Sequence, residues 1–527
     1  MNNWTFLWAS KFYKHNFIIL ILCFLWYAGG HGQQVENSNI GSNQVAGREL
    51  SNRYCASCHK FPEPELLDKE TWKHSVLPNM ALRLGLKMAG KNVPVNQDSI
   101  EASLLKQYNT YPENPLISKE DWSKIEAYYL GNAPKKLPLQ LESSVKSISE
   151  FPFQIQSINI DDVKLPQVTL LEYNSHTSEL YIGNYLKLYA LKNDGTLSGE
   201  WTLDSYASDI EFSEKNENPL LLSIGKLIPS NQKLGTLDRL VSSGTPNTEP
   251  PIFSTLRRPV NFESADLNMD GKTDLVLCSF GHTVGKLSWF DNYDASKEHI
   301  LSNQPGTRKI EIADFNNDGK PDIMALMTQS YEGIKIFYNE GGNKFREEQV
   351  LEFSPIHGLS YFELADFNDD GYPDILVTNG DNRDFSPIKK PYHGVRIYMN
   401  DTRNNFEEAY FFPMYDCNKA MARDFDGDGD LDIIAASLFV NYEGESKAQD
   451  AVVYLTDNGG LNFEASLLPN PSHANWLTME VADFNKDGLL DVILGAFVYD
   501  INEMFSIISA TGISNLPQIL LLTQKND

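Results

Sequence analysis

The sequence predicts a multidomain chain, a small all-α module followed by a longer all-β module. Two observations carry this. Beyond residue 151 a short acidic pattern recurs five times, each copy set between apolar runs rich in Ile, Val and Leu that read as strands. Ahead of it, residues 47–134 hold a Cys-x-x-Cys-His motif and close on a segment with helical caps and a helical apolar stripe. At 527 residues the chain is long enough for two or more domains, each with its own core. A net charge of −27 argues against nucleic acid and anionic membrane surfaces as partners. Five Cys are too few for a disulfide scaffold of this size.

At the N-terminus, Lys11 and Lys14 precede an apolar run from Phe17 to Tyr27, then Ala28, Gly29 and Gly30. That run is short for a membrane span and right for a signal peptide over 1–30. An uncleaved anchor, the one membrane attachment the sequence offers, is the alternative. Cys23 follows Ile21 and Leu22 and lacks the small residue that a lipoprotein cleavage site requires. Export to the periplasm or cell surface is expected. Residues 31–46 are polar and aperiodic and read as a flexible lead.

Cys55, Cys58 and His59 then spell the attachment signature of c-type haem. Two thiols one helical turn apart can add to the two vinyl groups of one haem, while the adjacent His offers the iron a ring nitrogen. A redox dithiol and half of a zinc site are the rivals, but there is no second Cys-x-x-Cys and no thioredoxin-like βαβ pattern. A second axial ligand is usual, commonly Met. Met80, after Leu77-Pro78 on an expected turn, is the choice, with His74 and Met88 as alternatives. A Met in such a place is otherwise most often a core filler. Over 118–134, Ser118 is an N-cap with Asp121 three residues on, Trp122, Ile125, Tyr129 and Leu130 form a stripe, and Gly131 and Pro134 stop the helix. Residues 47–134 thus resemble a small class I-like cytochrome c, which implies one covalent haem. Met80 comes only 21 residues after His59, sooner than in most such domains. Residues 135–150 read as a linker.

The acidic copies are ADLNMDGKTDLVL (265–277), ADFNNDGKPDIMAL (313–326), ADFNDDGYPDILV (365–377), RDFDGDGDLDIIA (423–435) and ADFNKDGLLDVIL (482–494). Oxygen-bearing side chains fall at positions 1, 3, 5 and 9, and position 7 can add its backbone carbonyl. The five ligand sets are Asp266, Asn268, Asp270, Lys272 and Asp274; Asp314, Asn316, Asp318, Lys320 and Asp322; Asp366, Asn368, Asp370, Tyr372 and Asp374; Asp424, Asp426, Asp428, Asp430 and Asp432; and Asp483, Asn485, Asp487, Leu489 and Asp491. Gly at position 6 permits a sharp bend, and all-oxygen flexible ligation suits Ca²⁺ better than Mg²⁺. An EF-hand closes with Glu at position 12 between helices, whereas these loops close at position 9 between strands.

These hairpins resemble the FG-GAP, or VCBS, repeats of integrin-α-type β-propellers, which implies up to five Ca²⁺ ions. The loops begin 48 to 59 residues apart, as four-stranded blades would. Two decayed copies precede them: 208–225, where Lys215 and Pro219 replace oxygens, and 168–184. Seven blades over 151–527 follow. The last supplies three strands only, and FQIQSINI (153–160) is expected to complete it from outside. Cys278 and Cys417 read as buried thiols.

In this topology the acidic hairpins share one face. The links between second and third strands, including 380–394, 438–449 and 498–517, share the other. Arg257, Arg258, Arg308, His357, Lys419 and His473 precede or enter inner strands and are expected to form a docking mouth on that second face. The bland alternative is a set of scattered solvated charges.

Both modules together resemble exported bacterial proteins that combine them, and imply a c-type cytochrome transferring single electrons. The ring would dock a redox protein, or a small-molecule or carbohydrate substrate. A surface adhesion or carbohydrate-binding protein with accessory haem is one alternative. A propeller dehydrogenase feeding the haem is another, although no nucleophile-base set or dinucleotide fingerprint supports it.

Overall fold

The computed structural model describes residues 33–88, 99–140, 145–147, 151–213, 218–245, 249–329, 331–381, 387–438, 451–469, 475–513 and 515–525. The signal-peptide segment, Lys215, His473 and most of the 438–449 link lie outside them.

Seven sheets follow one another around a ring. Blades 1 to 7 occupy 168–202, 207–257, 259–302, 307–352, 359–413, 417–467 and 476–524. Within each, successive strands pair antiparallel as a meander, so the turn after strand one and the turn after strand three share a face. Inner strands contact one another in cyclic order, and the first strand of blade 7 packs on that of blade 1. The second strands Asp274–Ser279, Asp322–Met327, Asp374–Asn379, Asp432–Ser437 and Asp491–Ala496 are buried at every residue. Sheets stack on both of their faces, which is why these strands are written as continuous apolar runs rather than alternating ones.

Blade 7 contributes three strands of its own. Phe153–Ile158 supplies the fourth, pairing antiparallel with Ile519–Gln524 from Phe153 opposite Gln524 to Ile158 opposite Ile519. One further pairing was not legible in the sequence. Val145–Ser147, within the expected linker, lies parallel to Phe463–Leu467 as a fifth strand on blade 6. An outer strand offers an unpaired row of N–H and C=O groups, and any nearby extended segment can take it.

The N-terminal region is helical. A helix runs over Gln33–Tyr54, so the polar segment read as a flexible lead is helical from Gln33. Helical turns follow over Lys69–Thr71, Trp72–Val76 and Leu77–Arg83, then Ser99–Gln107 and Lys119–Asn132. The last begins as its residues dictate: the Ser118 hydroxyl accepts from the Asp121 N–H at 3.0 Å. It runs through Gly131 and ends at Ala133, which is extended (ψ 136°) because Pro134 follows. Trp122, Ile125, Tyr128 and Tyr129 bury its inner face against Trp72, Leu77 and Ala81. Trp72 Nε1 donates to the Pro64 carbonyl at 2.8 Å and Tyr129 Oη to that of Pro62 at 3.0 Å, so both large aromatics are buried with their polar tips satisfied.

The first and last of these helices cross at Gly47, where a Cβ would lie 2.5 Å from the Lys124 carbonyl oxygen and 2.7 Å from Tyr128 Cβ. Only hydrogen fits there. Gly47→Leu should therefore destabilise the helical region by about 1–3 kcal/mol through overpacking. Thermal unfolding followed by tryptophan fluorescence and circular dichroism should show the helical transition lowered and the β transition unmoved.

Candidate functional site

The acidic loops are pre-shaped by their own backbone. The first Asp accepts the N–H of the position-6 glycine at 2.8 Å in blade 3, 2.7 Å in blade 4 and 2.8 Å in blade 5. Blades 6 and 7 repeat the contact at 3.2 and 3.1 Å. Positions 4 and 6 both adopt positive φ, as in Met269 (60°) and Gly271 (82°), or Lys486 (63°) and Gly488 (90°). That double turn aims the oxygens of positions 1, 3 and 5 inward. In blade 6, where position 3 is an aspartate, ligand oxygens of Asp424, Asp426 and Asp428 lie within 4.8 Å of one another.

Position 9 behaves differently. Asp274, Asp322, Asp374, Asp432 and Asp491 are each 0 % exposed. In blades 3 to 6 one oxygen caps the position-2 N–H, as Asp322 does for Phe315 at 3.1 Å, and the other takes an N–H at or just past the end of the third strand, as from Asn339 at 2.7 Å. Burial pushes Asp432 and Asp491 up to about 6. The closing carboxylate thus locks the hairpin to its own blade, beside any role as a ligand. In blade 4 the Lys320 ammonium rests 2.7 Å from Asp318, an internal counter-charge at position 7.

At the other end of the chain, His59 Nδ1 lies 2.9 Å from the Lys60 carbonyl oxygen. A carbonyl only accepts, so Nδ1 carries the proton and Nε2 the lone pair. Burial lowers the ring's pKa, keeping it neutral. Cys55 is half-buried and Cys58 exposed. Burial pushes the Cys55 thiol up to about 11, the reverse of the depressed value that a reactive redox dithiol needs. Tyr54, Cys55, Phe61, Met80, Leu84 and Met88 form a half-buried apolar rim on one core. Met80 sits in the Leu77–Arg83 helix rather than on a turn, since Pro78 is tolerated in the first helical turn. His74 points outward and pairs with Glu70 at 3.1 Å.

The expected docking mouth is assembled otherwise than as a cluster of waiting cations. Arg257 donates to the Asn231 carbonyl at 2.6 Å. Arg258 donates to those of Gly281, Leu227 and Lys226. Arg308 faces Asp381 at 3.4 Å. Burial drives His357 down to about 3, with Arg396, His393, Lys60 and Lys390 adding to it, so it is neutral. Lys419 donates to the Met479 carbonyl at 2.8 Å and lies 4.8 Å from the Tyr361 ring centroid. The helical region itself rests on this face. Tyr392 Oη donates to the Leu66 carbonyl at 2.9 Å and Lys60 Nζ to that of Glu352 at 2.9 Å, while Ile356 and Ile388 pack against the helical core.

A further set of carboxylates had a signal in the sequence that the loops overshadowed. Three residues before the first loop aspartate stands Glu263, Glu311, Glu363 or Glu480. Inner strands have an unpaired edge, and three of these side chains reach across to the next blade, while Glu311 pairs with Lys309 on its own strand. Glu363 accepts from the Ala422 N–H at 2.9 Å and from Arg423 at 2.7 Å, Glu263 from the Ile312 N–H, and Glu480 from that of Tyr173. Asp209 does the same for Phe262 at 2.9 Å and Asn261 at 2.8 Å. Burial pushes Asp209 up to about 6 and Glu263 to about 8, the nearby Glu311 adding to the latter.

Three stretches, 266–325, 314–377 and 424–494, match the family profile of the FG-GAP-like repeat. They take in all five acidic hairpins. Over 264 residues the chain is 24% identical to a T-cell immunomodulatory protein homolog from Plasmodium yoelii yoelii, an alignment covering 44% of this chain and 36% of that protein. The chain thus spans about a third of that relative's length. Among solved structures, the N-terminal domain of Nup159 is similar with TM-score 0.40 and 12% identity, over 73% of this chain and 99% of that one. The Neurospora crassa Pan2 WD40 domain gives TM-score 0.40 and 11% identity, over 74% and 98%.

Carboxylates raised by burial give an inverted pH dependence. Their protonated form is favoured in the fold, so their contribution is present near pH 4 and lost as pH rises through about 6 to 8. Metal-free protein should accordingly melt at a higher temperature at pH 6 than at pH 8. Glu263→Gln should flatten that slope, and calorimetry at stepped pH measures both.

Proposed function

We propose, from a seven-bladed ring carrying FG-GAP-like repeats and a helical region bearing Cys55, Cys58 and His59, that this chain is an exported c-type cytochrome. It passes single electrons to a redox protein, and Ca²⁺ pins the acidic hairpins of its ring. The observation that carries the reading is the His59 tautomer. A proton fixed on Nδ1 by the Lys60 carbonyl leaves Nε2 as the ligating nitrogen, the arrangement metal-bound imidazoles use.

The donor set fits the group. Cys55 and Cys58 would hold a haem through thioether bonds, and His59 and Met80 would be the ligands to its iron. A haem bound there would supply a one-electron couple at iron, with a potential raised by a Met ligand and by exclusion of water. This chain's part is to orient His59, to keep it neutral, and to shield one side with Tyr54, Phe61 and Leu84. In the ring, Ca²⁺ at positions 1, 3, 5, 7 and 9 would relieve repulsion among carboxylates that crowd one face. The N-terminal apolar run supports export, where free Ca²⁺ is plentiful.

Protein matured with haem-attachment machinery should be red, with colour that survives denaturation and is lost in Cys55→Ser/Cys58→Ser. Met80→Ala should change the oxidised spectrum and lower the potential, whereas Met88→Ala should do neither. Colourless protein from such cells would sink the reading and leave the ring as a recognition module. Chelation should separately lower the melting temperature of the ring, a site saturated a hundredfold above its Kd being worth about 2.7 kcal/mol. A melt indifferent to chelator would remove the calcium assignment alone.

A further inference from the structure

The helix Ser99–Gln107 has an unusual attachment. Its one buried residue is a carboxylate, Glu101, at 3 % exposure, while Ile100 beside it is 55 % exposed and Tyr108 just beyond it 53 %. Leu104 and Leu105 are only half-buried, so the one fully buried anchor of this helix is polar. The Glu101 carboxylate takes its hydrogen bonds from blade 2. Oε1 accepts from the Ser230 hydroxyl at 2.7 Å and from the Asn231 N–H at 2.5 Å, and Oε2 from Asn231 Nδ2 at 2.7 Å. Burial alone would raise its pKa, but these donors outweigh it and hold the carboxylate ionised.

Asn231 transmits the contact. It is 0 % exposed, and its Oδ1 accepts three successive N–H groups of the blade 3 hairpin, from His282 at 3.2 Å, Thr283 at 2.8 Å and Val284 at 2.9 Å. With its Nδ2 held by Glu101, the Asn231 amide is fixed in the one orientation that aims Oδ1 at the hairpin. The same face carries the second point of attachment, where Tyr392 and Lys60 join the haem-motif segment to blades 4 and 5.

We propose that Ser99–Gln107 is a detachable latch. Seated, it holds the helical region over the mouth face of the ring and orders the 281–285 hairpin. Released, it frees the 281–285 hairpin and leaves the helical region held by its Tyr392 and Lys60 contacts. A charged group clasped by neutral donors suits such a contact, because a carboxylate is readily rehydrated when it leaves, whereas a large apolar surface is not. The proposal is independent of whether haem is bound.

Native-state hydrogen exchange on the full chain tests it. The amides of 99–107 and those of Asn231, His282, Thr283 and Val284 should exchange through one shared opening, at least tenfold faster than the amides of the Lys119–Asn132 helix. Glu101→Gln should speed that set a further tenfold or more and leave the blade 4 amides of Ile323–Leu326 unchanged. Asn231→Ala, made from the ring side, should release 99–107 equally, which guards against a variant that merely misfolds its own helix. Exchange of 99–107 only with global unfolding, or hairpin amides indifferent to Glu101→Gln, would overturn the latch.

Discussion

The contact on which the ring depends is the pairing of Phe153–Ile158 with Ile519–Gln524. Six successive backbone partners join segments more than 350 residues apart, and without them blade 7 would present a three-stranded sheet with an open apolar edge. Loop-closure entropy grows only with the logarithm of length, so uniting distant ends costs little more than uniting near ones. What it gains is a closed set of sheets in which every blade has two neighbours. The same pairing fixes where the front of the chain can go. Phe153 lies opposite Gln524, at the acidic-hairpin end of blade 7, so this strand starts on the acidic face and runs toward the mouth. Gln140, earlier in the chain, is tied to the mouth face, its Nε2 donating to the His393 carbonyl at 2.7 Å and its backbone N–H donating to Tyr415 Oη at 2.8 Å.

Two populations of carboxylate, three residues apart in sequence, perform opposite tasks. Glu263, Glu363 and Glu480 are drawn inward to satisfy an inner-strand edge that no fifth strand covers. Asp266, Asp366 and Asp483 stand at the loop mouths, where their oxygens turn onto backbone N–H groups of their own loops. The first kind is tolerated because each accepts a backbone N–H that would otherwise be orphaned in the channel. Both kinds make the ring costly to hold together at high pH, one through desolvation and the other through mutual repulsion.

Much of this was legible in the sequence, because repetition supplies its own controls. Five copies of one spacing fix the hairpins, and the 48- to 59-residue intervals fix the blades. The helix at 119–132 was legible from Ser118, Asp121 and the Trp122–Ile125–Tyr129 stripe. What escaped has a common cause. The helix over Gln33–Tyr54 is polar enough to read as a free lead, yet Gly47 lets it lie against its partner, and Gln44 bonds across to Ala127 and Asn132. The fifth strand on blade 6 depends on an available edge, not on the residues of 145–147. Arg257, Arg258 and Lys419 look like ligand-seeking cations in sequence and turn out to meet backbone carbonyls that strand-entering turns leave bare. Charge type is local information, whereas the acceptor it meets is set by the fold.

Charge is also unevenly divided. Acidic and basic residues are equal in number over 47–134, so the excess of −27 belongs to the rest of the chain, overwhelmingly to the ring. A neutral helical region can rest on such a ring without long-range repulsion, and local donors then decide where it rests. Lys60 supplies one beside the Cys-x-x-Cys-His motif, and Ser230 and Asn231 supply those for Glu101 on the ring side. Contacts of this kind are directional and few, unlike the sheet-on-sheet burial that holds the blades. The molecule therefore combines a rigid ring, closed by backbone pairing, with a second body whose attachment rests largely on hydrogen bonds. Motion between them is to be sought at that boundary, and not within the ring.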